Sequence, residues 1–524
     1  MDNKRIWNYI YALIVLAVVA AETLAVLAVK RLNMLPDAYM ATFIGVLALF
    51  AVAVGLLLFL EGKKSGKVRR IAACVLAIVL ICGCAVLRTV ALDIIETLQL
   101  TSQDTLEITT REVYVRPDDP AQSLQDARNY TFGYVKNYDE DCTAQVLSEI
   151  RSEVGCEVAT AGYNNILAMV TAFTEKRIDA IVLNGGLIEI LADFEDFADF
   201  STQSRMLAQI RVFETNSASA AIPQQNAEGQ TTAETVAVSA VPEATEPTEP
   251  IDYSELKPFV VYFSGSDSHD TEIVQNGRAD VNILAAVNPF TKQVLLINTP
   301  RDSYVQNWGG GYAYDKLTHC GIYGIKSSMN SLGHLYDEPI ELYVRINFTG
   351  FKKMIDAIGG ITVESDYEFM AIGRTPIVVG ENTLDGQQAL DFARERKRVP
   401  GGDADRGRHQ MKVITAAIEK ATSGTTIINN YSEIMDSVEG MFLMNIPQEM
   451  ISTLMKMQLS DMAQWNVVSY AVSCGYGMGE CYSIPGVEMS VLKPSYYSIN
   501  KASRLIDMVM EGEFLTEEVI NSIM

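Results

Sequence analysis

The chain is poor in the features that mark zinc-binding and nucleic-acid-binding proteins. It has only four histidines, and none of its eight cysteines forms a Cys-x-x-Cys pair, which argues against zinc and thioredoxin-type sites. Basic residues are also in deficit, because 41 lysines and arginines are outnumbered by 65 aspartates and glutamates, for a net charge of −24. Binding to nucleic acid needs a basic surface for the phosphates, so the acidic charge argues against that function.

Long apolar runs, by contrast, fill the N-terminus. Residues 6–29, 38–60 and 71–87 are almost free of charge, and about 20 apolar residues let a helix cross the hydrocarbon core of a bilayer. The loop at 61–70 carries five lysines and arginines, whereas the loop at 30–37 carries two. Because basic loops stay in the cytoplasm, we predict three crossings, with the N-terminus inside the cell and everything after about residue 95 outside it.

The chain divides into four predicted segments. Residues 1–95 form a three-helix transmembrane anchor, and residues 100–213 alternate strand and helix patterns, as in a small extracytoplasmic α/β accessory domain. Residues 214–252 lack aromatics and are rich in Ala, Thr, Glu and Pro, which is typical of a flexible linker. Residues 253–524 alternate apolar strands with amphipathic helices. The fold class is therefore α/β, with a layered α/β main domain after the anchor.

Cysteines outside the membrane can form disulfides. Cys474 and Cys481 flank the Gly-rich stretch GYGMGE, which indicates a turn and makes a hairpin disulfide a candidate. Cys142 with Cys156 is a weaker candidate pair. The oxidation state of both pairs stays open at the level of sequence.

Charged side chains stand where several predicted elements begin or end. The strand VLLIN runs into Arg301 and Asp302. The other candidates at an element end or in a turn are Asp267, Arg278, Asp280, Lys316, Arg394, Arg396 and Arg406. Gln410, four residues after Arg406, is a further candidate. In an extended segment residues i and i+2 share a face, so we expect Arg278 and Asp280 to point the same way. Arg406 and Gln410 are four apart in a predicted helix and share its face.

This set of side chains suits a diphosphate with a divalent metal. Arginine binds phosphate in a bidentate manner, and a helix N-terminus adds free N–H donors. Two carboxylates at strand ends, Asp267 and Asp280, could hold Mg²⁺ through oxygen ligands. The chain has no Gly-x-x-x-x-Gly-Lys-Ser/Thr motif, so nucleotide hydrolysis is not indicated. The alternative is a set of surface ion pairs among the same residues.

The motifs that carry these residues resemble a known family. GSDSHD, RADVNIL, NTPRDSYV, DKLTHCGIYG, LDGQQALDFARERKR and GDADRGRHQ follow one another in the order found in LytR-CpsA-Psr cell-wall glycopolymer ligases. The three spans and the unit at 100–213 resemble the capsule-type members of that family. The resemblance implies a membrane-bound phosphotransferase with an extracytoplasmic catalytic domain. Such an enzyme moves teichoic acid or capsule polysaccharide from a polyprenyl diphosphate to peptidoglycan, at the C6 hydroxyl of N-acetylmuramic acid.

The resemblance also implies roles for individual residues. Asp267 and Asp280 match the positions that bind Mg²⁺ (or Mn²⁺), and Asp302 matches one that supports Arg301. The positions that match diphosphate contacts are Arg278, Arg301, Lys316, Arg394, Arg396, Arg406 and Gln410. Of the whole set we assign catalysis to Arg301, Asp267, Arg394 and Arg396, with Asp267 as the candidate base. His269, Thr318 and His409 depart from the residues common in the family.

Two other functions fit the same arginines. A non-catalytic sensor of polyprenyl phosphates, which attenuates cell-wall synthesis, would bind the lipid without turnover. A polyprenyl diphosphate hydrolase would release product without a peptidoglycan acceptor. Transcriptional regulation through DNA contact conflicts with the predicted topology and with the acidic charge.

Overall fold

A computed structural model describes residues 3–60, 66–101, 109–136, 140–212, 256–266, 276–423, 434 and 442–523. The apolar runs form the helices α1 (Asn3–Leu32), α2 (Asp37–Phe59) and α3 (Gly66–Thr101). Within them Arg5–Leu32, Asp37–Phe59 and Lys67–Ile95 are long and apolar enough to cross a membrane. Large apolar side chains such as Leu49 are exposed on these helices, as expected where lipid replaces water as the solvent.

The α/β unit that follows has a five-stranded sheet in the order β3-β2-β4-β1-β5. Strands β2, β3 and β4 run parallel, while β1 is antiparallel to β4 and β5. Its elements are β1 (Thr109–Val115), β2 (Thr131–Val135), α4 (Glu140–Val154), β3 (Ala159–Tyr163), α5 (Ile166–Thr174), β4 (Ala180–Leu183), α6 (Gly186–Leu191) and β5 (Arg205–Val212). The strands and helices expected from the sequence are present, and the domain boundaries stay a prediction.

The main unit is built on a six-stranded mixed sheet in the order β16-β11-β6-β7-β8-β17. Strands β6, β7 and β8 form an antiparallel meander, and β11 and β17 add in parallel to β6 and β8. The strands are β6 (Phe259–Gly265), β7 (Val281–Asn288), β8 (Gln293–Asn298), β11 (Leu342–Ile346), β16 (Phe442–Met444) and β17 (Asn466–Ala471). This arrangement confirms the predicted layered α/β fold.

Both faces of this sheet are covered, because alternate residues of the strands point to opposite sides. Leu284 and Leu295 belong to a cluster with α8 (Ile325–Tyr336) and α13 (Tyr496–Glu511). Ile283 and Leu296 point the other way, toward Met411 on α11. The remaining helices are α7 (Leu317–Cys320), α9 (Phe348–Ala357), α10 (Gly386–Arg394), α11 (Asp403–Thr422), α12 (Gln448–Asp461) and α14 (Glu517–Ser522).

Four two-stranded ribbons complete the main unit. They pair β9 (Tyr304–Asn307) with β10 (Ala313–Lys316), β12 (Ile361–Ser365) with β15 (Gly380–Leu384), β13 (Phe369–Ala371) with β14 (Thr375–Ile377), and β18 (Cys474–Cys481) with β19 (Ile484–Pro494). The β18–β19 hairpin, the accessory unit and the pair Ile322 and Tyr323 all contribute side chains to one apolar cluster. The accessory unit is thus packed against the main unit and shares a core with it.

The disulfide candidates are wrong. Cys474 and Cys481 lie at opposite ends of β18, about 23 Å apart at 3.3 Å per residue, whereas a disulfide needs Cα atoms within about 7 Å. The stretch GYGMGE is part of a strand, in which Gly479 lets the backbone lie close to the Tyr304 ring. The turn of the hairpin comes later, between Cys481 and Ile484. Cys142 and Cys156 are separated by the length of α4, and no disulfide joins any of the eight cysteines.

Candidate active site

A cavity of about 720 Å³ lies between the sheet and helices α9, α10 and α11. Its character changes along α11, where Arg406 and Gln410 line it first and Ile414, Ile418 and Ala421 follow. The helix rises 1.5 Å per residue, so this lining extends for about 22 Å. The cavity therefore has a charged end at the N-terminus of α11 and an apolar end at its C-terminus.

The charged end is positively charged, although the chain as a whole is acidic. The cationic residues in the lining are Arg301, Arg394, Arg396, Lys397, Arg398 and Arg406, and the anionic ones are Asp280 and Glu395. Among the described residues, these six cations and two anions leave a local excess of four positive charges. Such an excess inside a cleft attracts and holds a polyanion.

Arg301 and Asp280 meet at the ends of two neighbouring strands. The Arg301 guanidinium donates from Nη1 to Asp280 Oδ1 at 2.7 Å, and its Nε lies 3.9 Å from Asp302 Oδ2. Asp280 is held in place because its backbone N–H donates to the Gly265 carbonyl at 2.7 Å. Burial alone would raise the pKa of Asp302, but Lys316 and Arg301 bring it below its usual value. The Asp302 carboxylate therefore stays ionised, as expected for a group that supports Arg301.

Arg406 comes from the first turn of α11. It contacts Asp403 at 2.5 Å, and its side chain is only 13% exposed. Burial lowers the pKa of this guanidinium from its usual value, Arg301 and Arg396 add to the effect, and Asp403 opposes it. Arg406 and Arg301 thus repel each other in a partly dry site, and a bound anion would relieve that repulsion.

Glu395 organises the basic loop after α10, a role that the sequence did not reveal. Its buried carboxylate accepts hydrogen bonds from the backbone N–H groups of Arg396, Lys397 and Arg398 at 2.7–3.1 Å. It also accepts from the Ile372 N–H at 2.7 Å. Burial would raise the pKa of Glu395, but these donors lower it below its usual value. The only sequence signal is an acidic residue between the arginines of ARERKR.

Arg345, also missed, is an arginine in the middle of the apolar strand β11. It is fully buried and donates to Ser264 Oγ at 3.3 Å and to the Gly277 carbonyl at 2.9 Å. Burial lowers the pKa of its guanidinium. Arg345 thereby ties the segment that leads to Asp280 onto the sheet.

The structure brings most of the predicted site residues together. Those that line the cavity are Asp280, Arg301, Arg394, Arg396, Arg406 and Gln410. Lys316 is not in the lining and binds Asp302, with Nζ 3.4 Å from Oδ1. Asp267 and His269 lie outside the described residues. Thr318 donates weakly to Asp280 Oδ1 at 3.4 Å.

The expectation that Arg278 points the same way as Asp280 is wrong. Arg278 donates from Nη1 to the Glu189 carbonyl at 3.0 Å and to Asp193 at 3.3 Å, both in the accessory unit. The physical reason is that β7 begins only at Val281, so the alternation of a strand does not apply to residues 278–280. Arg278 therefore connects the two units and does not line the cavity.

The donor set at the charged end fits a hard cation. Asp280 offers carboxylate oxygens, and Ser264 and Ser266 add hydroxyl oxygens to the same lining. Oxygen ligands of this kind are what Mg²⁺ and Mn²⁺ prefer. A different buried group, formed by Asp315, His319 and Cys481, brings potential ligand atoms within 4.8 Å of one another. These three residues do not line the cavity, and Ser483 also bonds to Asp315 and His319.

Comparisons with known proteins identify a matching family model and similar curated proteins. The model of the LytR_cpsA_psr family matches residues 211–488, just over half of the chain. A curated "Polyisoprenyl-teichoic acid--peptidoglycan teichoic acid transferase TagU" of Enterococcus faecalis is 37% identical over 189 residues, which cover 36% of this chain and 61% of that protein. A protein of the same name from Oceanobacillus iheyensis is 33% identical over 210 residues, which cover 39% and 63%. The chain thus spans about three fifths of these relatives' length.

Solved structures also align with this chain, at lower identity. The crystal structure of B. subtilis TagU aligns at 23% identity with a TM-score of 0.39, covering 50% of this chain and 100% of that one. The structure titled "TagT bound to LI-WTA" aligns at 22% identity with a TM-score of 0.41, covering 51% and 95%.

Proposed function

The chain belongs to the LytR-CpsA-Psr family, and on that premise we propose that it transfers a glycopolymer from a polyprenyl diphosphate to peptidoglycan. One observation carries the proposal, namely a single cavity that joins a cationic end to an apolar channel along α11. A polyprenyl diphosphate has the same division, since it combines an anionic diphosphate with a hydrocarbon chain. The names of the curated relatives support a teichoic acid as the polymer.

The described residues bind and orient the diphosphate. Arg301 and Arg406 face it from the strand ends and from α11, and Arg394 and Arg396 close the site from the loop after α10. The acceptor hydroxyl attacks the phosphorus that carries the glycan, a new P–O bond forms, and the bond to the bridging oxygen breaks. Polyprenyl phosphate leaves, and the hydroxyl proton passes to a base, for which Asp267 is the candidate. Transfer of this kind depends mainly on positioning and on charge stabilisation.

Asp280 would hold a Mg²⁺ or Mn²⁺ ion together with Asp267. When bound, the ion neutralises charge on the diphosphate. The proposed acceptor is the oxygen of the C6 hydroxyl of N-acetylmuramic acid.

The proposed location is the outer face of the cell membrane. Asn33, directly after α1, and Ile94, in the C-terminal third of α3, lie against α12 of the main unit. The turn after α1 and the end of α3 are therefore on the same side as the cavity, which supports the topology expected from the basic loops.

The test is transfer by the full chain in a lipid nanodisc. The reaction contains Mg²⁺, a polyprenyl diphosphate glycan and peptidoglycan oligomers, and the products are polyprenyl phosphate and glycan-modified oligomer. A sensor would yield neither product. A hydrolase would release polyprenyl phosphate at the same rate without the acceptor, and that outcome would replace our proposal.

Arg301→Ala is the matching variant. We expect turnover to fall by about 100-fold or more, the usual cost of removing one preorganised charge-stabilising donor. Turnover should fall far more than thermal stability, because Arg301 follows a strand and fills no apolar core. Some stability should be lost, since Asp280 loses its ion-pair partner. Arg177→Ala, which removes an exposed ion pair with Glu175, is the control and should keep full activity. Equal losses of melting temperature and turnover in Arg301→Ala would show that the residue is structural.

A further inference from the structure

A second, smaller cavity of about 200 Å³ lies where the membrane helices meet the main unit. Leu87, Val90 and Ile94 line it from α3, and Met455 and Leu459 line it from α12. We call it the junction pocket. All of the described residues that line it are apolar, so it suits a hydrocarbon.

The junction pocket lies at the level where the helices leave the bilayer. Helix α1 ends at Leu32, and the third candidate span ends at Ile95. Helix α12 is fixed there by two contacts, from Ser452 Oγ to the Leu32 carbonyl at 3.2 Å and from Lys456 Nζ to Asn33 Oδ1 at 2.5 Å. In a bilayer spanned by these helices, this position would let a lipid of the same leaflet reach the pocket without leaving the membrane.

Contacts next to both linings connect the junction pocket with the apolar end of the catalytic cavity. Gln458 of α12 donates to the Thr422 carbonyl at 2.9 Å. Thr422 is the neighbour of Ala421, which lines the catalytic cavity, and Gln458 is the neighbour of Leu459, which lines the junction pocket. On the other side Phe442 lines the cavity, while Met444, two residues later, packs beside Ile94.

We propose that the junction pocket binds the isoprenoid chain of the lipid substrate and leads it from the outer leaflet into the catalytic cavity. The inference rests on the proposed function, because the cationic end of that cavity selects a lipid with a diphosphate head. Passage of each CH₂ group of the chain through water is unfavourable, because it exposes apolar surface. A continuous apolar path from the bilayer avoids that cost, whereas entry from the aqueous side does not.

The first experiment narrows the junction pocket with Met455→Trp in the full chain, reconstituted in nanodiscs. Two diphosphate glycans are compared, one with a long polyprenyl chain in the bilayer and one with a water-soluble chain of two or three isoprene units. We expect kcat/KM to fall about tenfold or more for the long chain, as an overpacked apolar site predicts. The short-chain substrate should react as it does with the unmodified protein.

Met457→Trp is the matched control, because Met457 is half-buried on the same helix and lines neither cavity. It should leave both substrates unaffected and report any damage that a bulky ring does to α12. Equal losses on both substrates with Met455→Trp, or no loss on either, would overturn the proposed route.

The second experiment does not depend on turnover. A photo-crosslinking amino acid at Val90 should label a long-chain polyprenyl diphosphate in nanodiscs of phosphatidylglycerol. The same group at Val86, which is 62% exposed and lies outside the pocket, is the control and should label bulk phospholipid. If the group at Val90 labels phospholipid and polyprenyl diphosphate does not displace that phospholipid, the proposed role of the junction pocket is refuted. An absence of transfer with correct labelling would refute only the proposed function.

Discussion

At the residue scale, the cationic loop depends on one buried acid. Arg396 and Arg398 are exposed, and their backbone N–H groups converge on Glu395. A carboxylate that accepts several backbone N–H bonds is worth more than a neutral acceptor, because hydrogen bonds to charged groups contribute about 1.5–3 kcal/mol. Glu395 thus acts as a positioning residue for the arginines, and it does not itself have to touch substrate.

Glu395→Gln tests this role. The amide keeps the shape of the side chain but loses the charge, so we expect the free energy of unfolding to fall by about 2 kcal/mol and KM for the diphosphate to rise. The folded-state pKa of Glu395 is lowered, so its contribution is present above the unfolded pKa of about 4.3 and is lost as pH falls through the folded value. When the free energy of unfolding is measured from pH 7 to pH 3, its fall with decreasing pH should be smaller in Glu395→Gln than in the unmodified chain.

Glu364→Gln, on an exposed position of β12, is the control for this measurement. It should unfold with the same pH dependence as the unmodified chain. An unchanged KM in Glu395→Gln would mean that the loop holds its shape without the carboxylate.

His409 shows how a departure from the family pattern can serve the core. Its ring stacks on Phe392 at 4.2 Å and on Phe369 at 5.5 Å, and it is 4% exposed. Burial lowers its pKa to about 4. The residue is therefore neutral at pH 7, and it packs in the core and is not among the described residues that line the cavity.

The lowered pKa of His409 predicts a loss of stability in acid. Between the unfolded pKa of 6.5 and the folded value of about 4, the unfolded chain binds a proton that the folded chain does not. The free energy of unfolding should therefore fall by about 3 kcal/mol over that window as the pH drops. His409→Phe should remove this dependence, and the exposed His334→Phe should not. If both variants lose the same amount of thermal stability between pH 7 and pH 5, the acid-dependent loss does not come from His409.

At the scale of single elements, the β18–β19 hairpin links the site to the accessory unit. Leu492 of β19 pairs with Ser303, directly after Asp302, and its N–H donates to the Asp302 carbonyl at 2.9 Å. Tyr304 donates from its hydroxyl to the Glu480 carbonyl at 2.7 Å. The hairpin thereby supports the segment that carries Arg301 and Asp302.

Gly479 is the position where this support can be tested. A Cβ atom at Gly479 would lie 2.8 Å from Tyr304 Cζ, whereas one at Gly475 on the same strand would meet nothing within 4 Å. Gly479→Ala should displace the tyrosine ring and cost about 1–3 kcal/mol of stability, with a loss of turnover. Gly475→Ala should change neither, as judged by thermal melting and transfer assays. Equal behaviour of the two variants would argue against the contact.

At the scale of the whole molecule, the accessory and main units are joined by packing as well as by the chain. Ile322 is fully buried in an apolar cluster with Phe173 and Ile190. Asn184 of the accessory unit donates to the Ile322 carbonyl at 3.2 Å, and Arg278 reaches Asp193. The main unit also rests on the membrane helices through α12. Cutting the segment at 214–252 should therefore not separate the pieces.

A protease site placed within 214–252 tests this prediction in membranes. After cleavage, the C-terminal piece should stay with the membrane fraction in high salt, because apolar contacts are insensitive to ionic strength. Gly186→Leu should increase its release, since a Cβ atom there would lie 2.7 Å from Ile322. Complete release of the unmodified chain by cleavage would show that the units are held by the linker alone.

The sequence by itself determined the local features of this protein. The three long apolar helices, several strands of each sheet and the amphipathic α11 follow from hydrophobic periodicity, which depends on near neighbours. Strands β1, β5, β16 and β17 did not stand out in the sequence. The cations at element ends followed from residue type, and most of them line one cavity.

The tertiary structure decided which side chains contact one another. Arg278 turned to the accessory unit, Lys316 to Asp302, and the cysteine pairs ended far apart. Glu395 acquired its role only when a loop folded around it. The path from the catalytic cavity to the membrane depends on α12 packing beside α3, far away in the chain. Contacts between distant segments leave no period in the sequence, so their outcome depends on how the whole chain packs.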